Sequence, residues 1–261
     1  MSLPRALILH ATGTNRDHEA ALAFELAGAR PEIVHLNQLR TGDRNWGDFQ
    51  ILALPGGFTY ADALGAGKLL ALDLTVYFAD EVARFISSGK PVIGICNGFQ
   101  ALVKAGLLPF PFAEQETSAA TLTFNASGRF ECRWVTLTPV SNTCLWTRGL
   151  SEPIYCPVAH GEGNFVPRDD AVLDRLATAG QIALRYAQPD GKPAQGAYPL
   201  NPNGSRADIA GICNAEGNVL GLMPHPEDHI QLYQHPRWSR GESGQMGLAL
   251  FMNGVRYASQ L

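Results

Sequence analysis

Cysteine is scarce and unpatterned in this chain. The five are Cys96, Cys132, Cys144, Cys156 and Cys213, an odd number with no C-x-x-C, which argues against a disulfide framework or a zinc site. Buried free thiols are the expectation for most of them. An excess of basic charge is also missing: a formal net charge of -4 leaves no footprint for nucleic acid. No apolar run is long enough for a bilayer, and the nearest, Leu69 to Ala79, contains Asp73. The opening M-S-L-P-R-A-L-I-L-H lacks a signal-peptide layout, with Arg5 inside its apolar run and no small-residue cleavage site after it. These absences point to a soluble, cytoplasmic protein with neither nucleic acid nor membrane as partner. Internal repeats and low-complexity linkers are absent too, so one domain over residues 1–261 is expected, long enough to bury a full core.

What is present alternates. Ala6–Ala11 reads as a strand, and Asp17–Ala27 as a helix stopped by Gly28. Strands follow at Ile33–Leu36 and Ile51–Leu54. Leu74, Phe78, Val82, Phe85 and Ile86 recur at helical spacing up to Gly89. Pro91–Ile95 is the next strand, and N-G-F-Q-A-L-V-K-A-G starts the next helix. Short apolar strands separated by helices predict an α/β fold with an open, mostly parallel sheet flanked by helices. Two β-rich runs around N-A-S-G (Asn125–Gly128) predict an inserted hairpin, and I-A-G-I-C-N-A-E-G-N-V-L-G-L-M predicts another. Met246–Tyr257 reads as a closing amphipathic helix.

Three strand ends carry candidate chemistry. G-I-C-N-G (Gly94–Gly98) is G-x-C-x-G, the thiol form of a nucleophile elbow, with a strand before it and a helix after it. The helix N-terminus favours a thiolate at Cys96. From this motif alone an inert core thiol and a nucleophile both stand. P-H-P-E sets His225 before a proline, hence extended, so that Glu227 projects to the same side and can accept its Nδ1–H. That leaves Nε2 to face a thiol, in the logic of a triad; a solvated turn is the plainer alternative. P-G-G-F (Pro55–Phe58) frees backbone N–H groups at a strand end, which could form part of an oxyanion hole with the Asn97 N–H as second donor, or it is a plain tight turn. G-A-G-K (Gly65–Lys68) fails as a phosphate loop, since that would need glycine where Asp62 stands and Ser or Thr where Leu69 stands. A-H-G-E-G-N-F offers His160 and Glu162 as a substrate loop, but H-x-E without a third ligand gives no metal site.

In combination and order these motifs resemble the class I (triad) glutamine amidotransferases, with a flavodoxin-like fold. With G-T-N-R-D-H-E, P-G-G-F-T-Y-A-D-A-L-G-A-G-K, G-R-F-E-C-R-W-V, A-H-G-E-G-N-F and Y-P-L-N-P-N-G-S added, the chain is similar, from about Ala6 to Tyr257, to the glutaminase-subunit family of phosphoribosylformylglycinamidine synthase. The resemblance implies Cys96 as nucleophile, His225 as base and Glu227 as orienting acid. It places oxyanion donors at the Gly57 and Asn97 N–H groups and a glutamine contact at Gln100, with His160 and Glu162 as further pocket candidates. It implies hydrolysis of L-glutamine, with ammonia passed to a PurL-type synthase subunit in purine biosynthesis, and it allows a small PurS-type third subunit. No cofactor or metal is expected in this chain; ATP and Mg belong to the partner. Three departures from the family pattern stand out: Arg16 where cysteine is usual, Ala61 and Ala63 in a normally polar or glycine-rich run, and Asp228 where arginine is frequent. They are expected to bear on surface and partner contacts more than on hydrolysis. A cysteine peptidase or DJ-1-like enzyme would place its acid or base elsewhere and lack P-H-P-E. A docking scaffold would not need Cys96, His225 and Glu227 intact.

Overall fold

A computed structural model describes residues 3–110, 118–244 and 246–261. Its centre is a nine-stranded sheet ordered β2-β1-β3-β4-β11-β10-β9-β6-β7. The first five strands in that order are β2 (Arg30–His35), β1 (Arg5–His10), β3 (Ile51–Leu54), β4 (Val92–Ile95) and β11 (Val219–Leu222). They pair in parallel. Strands β3, β4 and β11 are buried along their whole length, as expected of strands covered on both faces. Helix α1 (Asp17–Leu26) packs on α7 (Leu248–Ala258), and Phe24 meets Phe251 edge to face at 5.2 Å. Helix α5 (Asn97–Lys104) packs over β4, β11 and β3.

The other half of the sheet is antiparallel: β10 (Ile209–Cys213), β9 (Ile182–Ala187), β6 (Glu131–Pro139) and β7 (Ile154–His160). The hairpin expected of I-A-G-I-C-N-A-E-G-N-V-L-G-L-M is β10–β11, turning through Gly217 at φ 76°. Register shifts in β10 between Ile209 and Ile212 mark bulges, which bend and twist a sheet. The far edge strand, β7, thereby comes back over the parallel half: the His225 N–H donates to the Pro157 carbonyl at 2.8 Å.

The other predicted hairpin does not form. The turn at Asn125–Gly128 is there, closed by the Gly128 N–H on the Asn125 carbonyl. Its flanks go elsewhere: β5 (Ala120–Thr123) pairs with β8 (Asn164–Pro167), while β6 runs between β9 and β7. The cause lies at the turn itself. The Ala126 N–H donates to Asn203, and the Asn125 side chain donates to the His160 carbonyl, so the segment is tied across the molecule rather than to its own neighbour. The helix read over Leu74–Ile86 is likewise divided. A π-helical turn, Asp73–Tyr77, follows α3 (Lys68–Leu72), and α4 (Ala79–Ser87) begins only after Phe78. At Phe78 the backbone leaves helical angles, and the buried ring lies 5.4 Å from that of Trp46.

Candidate active site

The strand ends of β3, β4 and β11 lie side by side, which brings Gly57, Cys96 and His225 to one edge of the parallel half. That edge, beyond the carboxyl ends of the strands, is where open α/β sheets bind ligands. Cys96 sits between β4 and α5 at φ 51°, a left-handed angle that costs energy in a residue with a Cβ. Its flanking glycines make the sharp turn possible. A Cβ on Gly98 would lie 2.0 Å from the Leu54 carbonyl oxygen, and one on Gly94 would lie 2.5 Å from Leu102. The Cys96 Sγ is 3.8 Å from the Ala159 carbonyl oxygen of the returning β7.

His225 and Glu227 form the pair that their spacing suggested, with Nδ1 2.7 Å from Oε1 and both side chains buried. The opposite ring nitrogen, Nε2, makes no hydrogen bond of normal geometry among the described residues, with the Cys96 sulfur as a polar neighbour. Catalytic hydrogen bonds are often loose until substrate arrives. Burial lowers the proton affinity of the ring, but the Glu227 carboxylate and the Cys96 sulfur outweigh it and hold His225 well above the usual imidazole range. The ring fits tightly under the Pro55–Phe58 turn, because a Cβ on Gly56 would lie 2.7 Å from its Cε1.

Two backbone donors complete the arrangement. Thr14 and Gly57 form an antiparallel bridge in which Asn15 donates to Gly56 and Phe58 to Gly13, so the Gly57 N–H takes no part in it. The Asn97 N–H opens helix α5, where first-turn amides have no intrahelical acceptor. The Asn97 side chain joins the two donor segments. Its Oδ1 accepts from the Thr59 N–H at 3.2 Å and the Thr59 hydroxyl at 2.6 Å. Its Nδ2 donates to Asp62 and to Gln100, each at 3.1 Å. The loop so held is strained, with Tyr60, Ala61 and Asp62 all at left-handed φ of 51–55°.

Beside them lies a cavity of about 150 Å³ lined by Gly57, Asp62, Cys96, Gln100, His160 and Glu162, among others. Gln100 lies in the wall, with its Nε2 donating to the Glu162 carbonyl at 2.7 Å. The Glu162 carboxylate sits 3.8 Å from the Lys104 ammonium. Exposed Phe58, Phe124 and Phe130 rim the cavity, and the Phe58 and Phe130 rings stack at 6.5 Å. Larger hollows exist; the 510 Å³ one beside Lys68, Lys104 and Arg168 has neither cysteine nor histidine in its wall.

Two of the family departures meet behind the site. Arg16 Nε is 3.8 Å from Asp228, and the same guanidinium feels the charge of Glu227. Burial and the neighbouring Glu227 push Asp228 up to about 6. Positions 16 and 228 therefore bear on the electrostatics of the His225–Glu227 pair as well as on the surface. Sequence reading missed Asn125, which is buried and joined to His160, and Thr59, which holds Asn97. Both lie in stretches whose composition signals only a turn.

Comparison with known proteins identifies the family. A family model for the CobB/CobQ-like glutamine amidotransferase domain matches residues 3–258. The phosphoribosylformylglycinamidine synthase subunit PurQ of Treponema denticola is 54% identical over 97% of this chain and 98% of its own. The same subunit of Dehalococcoides mccartyi is 46% identical over the full length of both. Among solved structures, a chain of PurLQS from Thermotoga maritima superposes with a TM-score of 0.75 at 32% identity, covering 98% of this chain and 99% of that one. The chain belongs to the PurQ family of glutamine amidotransferases.

Proposed function

We propose that this chain hydrolyses L-glutamine to L-glutamate and ammonia at Cys96. In this reading it delivers the ammonia to a PurL-type synthase subunit that converts formylglycinamide ribonucleotide to formylglycinamidine ribonucleotide in purine biosynthesis. The observation that carries the reading is the elbow: a strained, glycine-flanked Cys96 beside a His225 that Glu227 holds in the protonated direction. The Cys96 thiolate attacks the side-chain amide carbon, and the resulting oxyanion accepts hydrogen bonds from Gly57 and Asn97. One such donor is typically worth about 3–4 kcal/mol. His225 gives its proton to the departing nitrogen, and ammonia leaves. The neutral His225 then takes a proton from water, whose oxygen attacks the γ-glutamyl thioester and releases glutamate and the thiolate. Glu227 orients the ring throughout, and Gln100 with Glu162 shapes the glutamine pocket. The chain works as one domain and needs no cofactor of its own; ATP and Mg act in the synthase subunit.

The exposed Phe58, Phe124 and Phe130 offer an apolar face at the cavity mouth, to which we assign the synthase contact, with a PurS-type subunit as the third member of the complex. No described helix is long and apolar enough to cross a membrane, and we assign the protein to the cytoplasm, where its synthase partner would supply the acceptor nucleotide. The test is a glutaminase assay on the chain alone and again with the synthase subunit and its ligands. Release of glutamate coupled to amidine formation is expected. If no glutamate appears even in the assembled complex, the reading is wrong.

A further inference from the structure

The cavity wall holds a buried histidine that the reaction as described does not use. His160, at the end of β7, is 2% exposed and lines the same cavity as Cys96. Its tautomer follows from its neighbour Asn125. The Asn125 Nδ2 donates to two carbonyls, those of Arg129 and His160, each at 2.8 Å, which fixes the orientation of the amide. Its Oδ1 is then an acceptor only, serving the Gly163 N–H at 3.0 Å and the His160 Nδ1 at 3.1 Å. His160 must therefore carry its proton on Nδ1. Its Nε2 is a bare lone pair, buried and without a hydrogen bond among the described residues. Gly163 clamps the ring, since a Cβ there would lie 2.4 Å from Cε1. Burial, aided by the nearby His225, pulls the pKa of His160 down to about 3, so it stays neutral while His225 exchanges protons.

Building on the glutaminase reading above, we infer that His160 is a specificity-determining residue whose Nε2 accepts a hydrogen bond from the carboxamide nitrogen of glutamine. The location favours the reacting end of the substrate: His160 follows Ala159, whose carbonyl oxygen faces the Cys96 sulfur, and its protonation is sensitive to His225. The Glu162 and Asp62 carboxylates elsewhere in the wall are better suited to an ammonium group. An acceptor at this place welcomes an amide N–H and opposes a carboxylate oxygen. The same atom that orients glutamine thus repels glutamate, the product, by leaving two lone pairs face to face.

Two measurements test this. In the complex with the synthase subunit, His160→Phe keeps a ring of similar size and removes the Nε2 acceptor. Its glutamine kcat/KM should fall roughly 10- to 100-fold. Glutamate should become a stronger competitor, with the ratio of its Ki to the KM of glutamine falling at least about tenfold. An equal loss of affinity for both ligands, or an unchanged ratio, overturns the inference, because a packing role or a contact to the shared α-ammonium would not distinguish them. Wild-type turnover in the same assay checks the glutaminase reading separately. Should the variant not fold, nitrogen-15 histidine spectra of the wild-type chain at neutral pH still decide: Nδ1 protonated and Nε2 bare is expected, and a proton on Nε2 contradicts the proposal.

Discussion

The two halves of the sheet contribute to the site in different ways. The parallel half supplies Gly57, Cys96 and His225 from three adjacent strand ends, each fixed by the sharp turn that ends its strand. The antiparallel half supplies no reacting atom. It bends back through the bulged β10 and lays Ala159, His160 and Glu162 over the sulfur as a wall. Reactivity is thus local to short motifs, whereas enclosure depends on strands far apart in sequence.

That division sets the order of expected effects. Cys96→Ala should lower glutamine hydrolysis by at least about four orders of magnitude, while amidine synthesis from added ammonia by the partner persists. Loss of both activities would mean that the substitution disturbs assembly. Glu227→Gln keeps the shape but loses the orienting charge, and a fall in kcat of about 10² to 10⁴ is expected in steady-state assays. Wild-type kcat in that variant would remove Glu227 from the site. Asn97→Ala cuts the ties to Thr59, Asp62 and Gln100, letting the two oxyanion segments drift apart; kcat should fall roughly 10- to 100-fold, with KM changing less. In the loop that follows β7, Gly163→Ala forces the His160 ring to move and should cost roughly tenfold in kcat/KM. A loss matching that of Cys96→Ala would collapse the distinction between the two halves.

The smallest effect is on stability and comes from the charge behind the His225–Glu227 pair. The folded pKa of Asp228 is raised to about 6, so the folded state binds its proton more tightly than the unfolded chain does. Stability from this group is therefore present below the unfolded value, near 4, and is lost as the pH rises through about 6. Asp228→Asn should raise Tm at pH 8, with the gain shrinking toward pH 4, as read by thermal melts across that range. A Tm that drops at pH 8 would show that the contact with Arg16 outweighs the burial.

How far the sequence could be read follows the same line. Ile51–Leu54 and the start of α5 at Asn97 were legible because apolar runs and an elbow are local signals. The His225–Glu227 contact was legible because spacing in an extended segment fixes which side chains share a side. The pairing of β5 with β8 was not, since strand partners are chosen by long-range packing and a turn signal at N-A-S-G is silent about them. The break at Phe78 escaped because its helical spacing continues through a residue whose ring is held against Trp46. Asn125 escaped because nothing in a turn sequence announces a bond to a histidine in a distant strand.

The central claim is that Cys96 attacks the side-chain amide of glutamine. A glutamine-analogue diazo ketone, added to the complex with its ligands and followed by peptide mass mapping, tests it directly. One adduct on Cys96, prevented by excess glutamine, is the predicted result. Labelling of the exposed Cys132 with Cys96 untouched, or no labelling at all, would contradict it.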